Sequence, residues 1–214
     1  MCTGCCLPLG FPSIRAYLVA HATFLLVAMF AVDPRLARER TSPGPDVVAP
    51  HLRFMSGVFF LLTVATAALA VSRLRILVVP PQVRAIALLL FALSSALQAW
   101  AMIRNPFFSP VLRIQSEHGH HLVESGPYRF VRHPGYLAMS VSIPASAVAI
   151  GSWLALIPAG VFVAIILWRA TIEDQFLRKH LAGYQQYACR VSGGLVPRLH
   201  RCFGAVPISE YHHE

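Results

Sequence analysis

The sequence holds two polar clusters, ESGPYRFVRHPGY from Glu124 to Tyr136 and RATIED from Arg169 to Asp174, and residues 137–168 between them carry no Asp, Glu, Lys or Arg. At ~1.5 Å per helical residue, a bilayer core of ~30 Å takes about 20 apolar residues. Tyr136 to Trp168 is too long for one crossing without extreme tilt, and Pro144 and then Gly151-Ser152 interrupt it. The stretch is therefore read as two short helices, Tyr136 to Ile150 and Trp153 to Trp168, folded as a hairpin. A hairpin that enters and leaves the membrane returns both polar clusters to one surface.

Outward from this hairpin the chain keeps the same character. Of its 214 residues 56% are hydrophobic and 13% charged, an apolar excess that needs lipid rather than a soluble core. Three further apolar runs precede it: Ile14 to Val32, which holds Arg15 at its start and His21 within and is ended by Asp33-Pro34; Phe54 to Val71; and Val83 to Met102. His21 is read as a neutral side chain facing a neighbouring helix. Small residues in the second and third runs (Ala65, Ala68 and Ala70; Ala92, Ser94, Ser95 and Ala96) predict close helix packing. Phe107 and Phe108 are expected at the membrane interface, with Arg104 and Arg113 at headgroup level. Beyond Trp168, Ile172, Phe176, Leu177 and Leu181 recur at helical spacing up to Gly183, predicting an amphipathic extension that leaves the membrane. The tail from Ser192 is expected to be irregular. The fold class that follows is all-α integral membrane, with about five transmembrane helices and residues 1–102 (three spans) divided from 103–214.

The formal net charge is +9, carried by 17 Arg and one Lys. No basic run with interleaved aromatics argues for nucleic acid, so the cations are read as topology signals and contacts to membrane lipids. With the tail inside, loops and tail place 14 Arg and Lys in the cytoplasm against four outside (Arg15, Arg73, Arg75, Arg84). Both polar clusters then lie on the cytoplasmic face. The preference for Arg over Lys, with many Ala, Gly and Pro, points to a GC-rich genome and a bacterial inner (plasma) membrane. The N-terminus lacks the positive region and cleavage site of a secretory signal, so the first run is expected to be retained.

Two clusters invite a metal reading. Cys2, Cys5 and Cys6 have no second ligand pair near them in sequence, and Cys189 and Cys202 have no CxxC spacing; lipid attachment is the other use for such a cluster. His118, His120 and His121, with Glu117 and Glu124 near, lack an HExxH helix and are read as a polar loop. No metal is assigned. Arg169 and Glu173, four apart, share a helix face and can pair. In the loop, Gly126 and Gly135 permit close backbone approach, Pro127 and Pro134 restrict geometry, and Tyr128, His133 and Tyr136 offer flat hydrogen-bonding surfaces suited to an adenine and ribose.

GPYRFVRHPGY, then an apolar hairpin, then RATIED and LAGYQQY, resembles the isoprenylcysteine carboxyl methyltransferase family and its bacterial relatives, whose signature has the form GxYxxxRHPxYxG followed by a carboxylate pair. The resemblance covers about Asn105 to Pro197. It implies S-adenosylmethionine as cofactor and a catalytic C-terminal region at the cytoplasmic surface. It also implies a pocket lined by His120, His121, Leu122, Val123, Tyr128, His133, Pro134, Gly135 and Tyr136, with Glu173 binding the cofactor and Arg169 reaching toward a lipophilic or small methyl acceptor. Two positions depart from the pattern: Ala138 stands where Gly is usual, and Gly194 where a basic residue is expected. A membrane-embedded NADPH-dependent reductase and a non-enzymatic membrane scaffold are the alternative readings.

Overall fold

The computed structural model describes residues 12–30, 47–74 and 79–195. The cysteine cluster at Cys2, Cys5 and Cys6, most of the first loop, Arg75, Pro197 and Cys202 lie outside them. The described chain forms α1 (Pro12–Phe30), α2 (Pro50–Leu69) continued by a π turn (Ala70–Leu74), α3 (Pro81–Arg104), α4 (Pro134–Ile150), α5 (Leu156–His180) and α6 (Tyr184–Arg190). Between α3 and α4 come two single 3-10 turns, Ser116–His118 and Gly126–Arg129. Among the described residues there is no strand, and an isolated antiparallel bridge joins Val48 to Leu112.

Proline opens α2, α3 and α4 (Pro50, Pro81, Pro134), where its missing N–H costs no helical bond and its fixed φ suits the first turn. The hairpin turns at Gly151, whose φ of 117° is open to glycine and strained for other residues. A Cβ there would lie 2.6 Å from the Arg84 guanidinium. Arg84 is buried, its Nε donating to the Val79 carbonyl at 2.9 Å. This cation of the second loop is thus held under the hairpin turn.

Three helices, Pro50–Ser72, Pro81–Arg104 and Leu156–His180, are long and apolar enough to cross a membrane, and Arg15–Phe30 and Pro134–Ile150 are shorter apolar helices. Large side chains such as Val19, Phe30, Phe54, Leu93 and Ile157 are exposed on them, as lipid-facing surfaces require. The hairpin arms are unequal, 17 residues in α4 and 25 in α5. Shortness therefore holds for α4 alone, because α5 runs without a break through the amphipathic segment to His180. Pro144 lies inside α4 without ending it.

α4 packs most extensively against α3, and α2 and α5 close the other side. Buried Ala67, Ala145, Ala147, Ala149, Ala155 and Ala159 make the close approaches. The small residues named from sequence divide. Ala70, Ser94 and Ser95 are buried, whereas Ala65, Ala68, Ala92 and Ala96 are exposed, because the inward stripe of α3 follows Ala87, Phe91, Ser94 and Ser95 at helical period and positions 92 and 96 fall on the opposite face.

Candidate active site

The loop from Asn105 to His133 folds back over the ends of α3, α4 and α5 and caps a cavity of about 510 Å³. Its local order comes from short polar side chains. Asn105 accepts from the Phe107 N–H at 2.9 Å and donates to the Tyr128 hydroxyl at 3.2 Å. Gln115 donates its side-chain amide to the Phe107 carbonyl and its N–H to His120 Nδ1. Phe107 is buried, stacked on His120 at 4.3 Å between ring centres and met edge-on by His121 at 5.0 Å. Phe108 lies so close to Gly135 that a Cβ there would fall 2.3 Å from its ring. Both phenylalanines thus turn into the cavity rather than standing out from the surface, and Arg113 is buried and pairs with Glu117. Their apolar character suits lipid or protein equally, so sequence could not separate the two.

The histidine loop acquires its own electrostatics. Burial, then the neighbouring His121, lowers His120 from 6.5 to about 4, which keeps Nδ1 free to accept from Gln115. Hydrogen bonding from Arg113 brings Glu117 down to about 2. Glu124 pairs with Arg190. The two carboxylates nearest the histidines in sequence are therefore each engaged by an arginine. Burial raises Tyr128 and Tyr187 above the ordinary phenol range, so both hydroxyls are neutral donors, Tyr187 to the Tyr128 carbonyl at 2.7 Å.

Arg169 and Glu173 project from α5 toward Tyr136 at the start of α4. Arg169 Nε donates to the Tyr136 hydroxyl at 2.8 Å, and that hydroxyl donates to Glu173 Oε2. The direct pair expected from their spacing is replaced by this relay. Arg169 is buried and also donates to the Pro110 carbonyl, so two of the five guanidinium donors are committed. Asp174, one residue on and about 100° around the helix, turns to the opposite side of the loop. It accepts from Arg132 at 2.7 Å, Arg178 at 2.8 Å and the Tyr184 hydroxyl at 2.9 Å, and lies 3.4 Å from His133 Nε2.

Arg132 then clamps the tail, donating to the carbonyls of Val191 at 2.7 Å and Ser192 at 2.9 Å. The backbone N–H groups of Arg132 and His133 donate to Gly193 and Gly194 at 3.0 and 2.9 Å. The corner at Gly194, where the resemblance leads one to expect a basic residue, is thus braced by Arg132 from the loop, and Ala138 is accommodated fully buried in α4. Asp174 and Arg132 lie within the motifs read from sequence but have no role of their own there, although two adjacent carboxylates on a helix must face different directions and so signal two partners.

All the residues named from sequence, His120, His121, Leu122, Val123, Tyr128, His133, Pro134, Gly135, Tyr136, Arg169 and Glu173, border this one cavity. Residues 83–183 match the family model described as Phospholipid methyltransferase, a match that begins at α3, before the loop motif. Two curated rice proteins, from Oryza sativa subsp. indica and subsp. japonica and each named probable protein-S-isoprenylcysteine O-methyltransferase, are 33% identical over 94 residues, 41% of this chain and 47% of each relative. The match spans just under half the length of these relatives. Through α3, the capping loop and the α4–α5 hairpin, residues 83–183, this chain is therefore similar to phospholipid methyltransferases and to the rice proteins named for isoprenylcysteine O-methyl transfer.

Proposed function

We propose that the protein is an integral membrane enzyme that transfers a methyl group from S-adenosylmethionine to a lipophilic or small acceptor bearing a carboxylate, thiol or amine. One observation carries the reading: the loop motif, the Arg169–Tyr136–Glu173 relay and the membrane helices all border one cavity. Its volume of about 510 Å³ lies within the range of about 300–1,000 Å³ of small-molecule sites. The loop end fits a nucleoside bearing a cationic centre. It offers Glu173, the neutral His120 ring, Tyr128, His133, Leu122 and Val123.

When bound, S-adenosylmethionine supplies an electrophilic sulfonium methyl. The protein then has to hold an acceptor in line and exclude water, and positioning contributes about 7–11 kcal/mol to such reactions. Glu173 balances positive charge at the cofactor end. Arg169, with donors to spare, orients an anionic acceptor and favours its deprotonated form. No protein nucleophile is required.

The five apolar helices are taken as five spans, with the capping loop and α6 in the cytoplasm and the protein in a bacterial inner membrane. Residues 103–214 then form the cofactor end, and residues 1–102 shape the acceptor's approach from lipid. The rice relatives' name specifies O-methyl transfer to protein-S-isoprenylcysteine, and of the three acceptor classes this favours a carboxylate here. Calorimetric titration of the detergent-purified protein with S-adenosylhomocysteine tests the reading. Micromolar binding that is lost in Glu173→Ala is the expected result. A folded wild-type protein that does not bind would sink it and move the weight to a membrane reductase or a scaffold.

A further inference from the structure

The cavity does not end at the cofactor residues. It continues between α1, α3 and α4, where its wall carries Tyr17 and His21, Ser95 and Gln98, and Ser142 and Ser146. Each pair lies three or four residues apart on its helix, so each helix presents two polar side chains to the same space. Tyr17, Ser95, Ser142 and Ser146 are buried. The serines of α4 bond back to their own helix, Ser146 to Ile143 at 2.7 Å and Ser142 to Met139 at 3.5 Å, and Ser146 also hydrogen-bonds with the Tyr17 hydroxyl. His21 differs. Its ring lies 5.8 Å from Tyr17 and 5.9 Å from Phe91, and its Nδ1 is buried with no hydrogen-bond partner among the described residues.

Polar groups at membrane depth are costly and mark ligand pathways when they face a cavity, and a buried polar atom without a partner calls for one. A saturated or prenyl hydrocarbon in this part of the cavity would leave His21 unpaired and gain nothing from the other five. Depth along the cavity follows from α4. Ser142 and Ser146 lie six and ten residues beyond Tyr136, about 9 and about 15 Å along the axis at the helical rise.

We propose that the wall formed by His21, Gln98 and the neighbouring hydroxyls binds a hydroxyl or carbonyl in the middle of the acceptor's apolar tail, so that the acceptor is an amphiphile polar at two points. Calling this ligand the acceptor rests on the methyl-transfer reading above; the site itself can be read by binding alone. The test uses the full chain in detergent, a fluorescent fatty acid as reporter, and stearate, mid-chain hydroxystearate and mid-chain ketostearate as competitors, with S-adenosylhomocysteine titrated in parallel. The two oxygenated analogues should displace the reporter at about tenfold lower concentration than stearate, the equivalent of about 1.4 kcal/mol, and His21→Leu should abolish that preference. Should His21→Leu fail to fold, Gln98→Leu should narrow it. Equal competition by all three, no displacement by any, or a preference unchanged in the folded variants would overturn the proposal. A wild-type preference that His21→Leu removes, in a protein that never binds S-adenosylhomocysteine, would keep the tail site and remove the methyl-transfer reading instead.

Discussion

The Tyr136 hydroxyl accepts from Arg169 and donates to Glu173, so one oxygen positions both charged groups of the site. Tyr136→Phe removes it without changing the ring that lines the cavity. Hydrogen bonds to charged groups contribute about 1.5–3 kcal/mol, so methyl transfer should fall about 10- to 150-fold with the fold retained, and unchanged turnover in a radiolabelled-methyl assay would show the relay to be ornamental. His120 carries a second prediction. Its pKa is depressed from 6.5 to about 4, so the folded state disfavours protonation; the stabilisation is complete above 6.5 and is lost as pH falls from 6.5 to 4. His120→Asn keeps an acceptor for the Gln115 N–H without titrating in this range. Wild type should lose thermal stability relative to this variant across that interval, and a difference that does not vary with pH would disprove the assignment.

Two elements meet where α4 begins, and the contact is tight enough to test. Gly135→Ala would place a Cβ 2.3 and 2.4 Å from two ring carbons of Phe108, so the ring must shift out of the cavity wall, at a cost of about 1–3 kcal/mol for overpacking. Phe108→Ala should relieve that cost in the double variant; additive losses in thermal unfolding would mean the two positions are uncoupled. On the neighbouring face of α5, Asp174 ties the loop to α6 through Arg132 and Tyr184, and Arg178 of α5 braces it. Asp174→Asn leaves Arg132 inside without its carboxylate and should cost about 3 kcal/mol. Because Arg132 also holds Val191 and Ser192, the variant should be cut by protease near these residues well before wild type. Equal cleavage rates would place the clasp elsewhere.

At the scale of the whole molecule, one side of the bundle carries the polar loop, the end of α5 and α6, and the exposed Cys189 of α6 reports on it. In a variant whose only cysteine is Cys189, an impermeant maleimide should label inverted inner-membrane vesicles and spare right-side-out ones. The reverse pattern would invert the topology and detach the site from cytoplasmic cofactor. The predicted orientation rests on the charge count, 14 cations against four. Burial of Arg84 beneath the Gly151 turn gives one of those four a packing role and so weakens its weight as a topology signal.

Much of this was legible in the chain alone, for definite physical reasons. Apolar run lengths are set by bilayer thickness, and prolines and glycines mark helix ends through backbone sterics, so the all-helical membrane character and the helix positions followed from local pattern. The motif residues were likewise identified before any geometry, since Arg-His-Pro-Gly-Tyr and the paired carboxylates lie in short segments. What only the tertiary structure decided depends on groups distant in sequence. Tyr136 stands between Arg169 and Glu173, Asp174 gathers Arg132 and Tyr184, Phe107 and Phe108 turn inward, and the cavity reaches His21 on α1. Spacing within a helix says which side chains share a face, but which partner occupies that face is settled by packing of whole helices against one another.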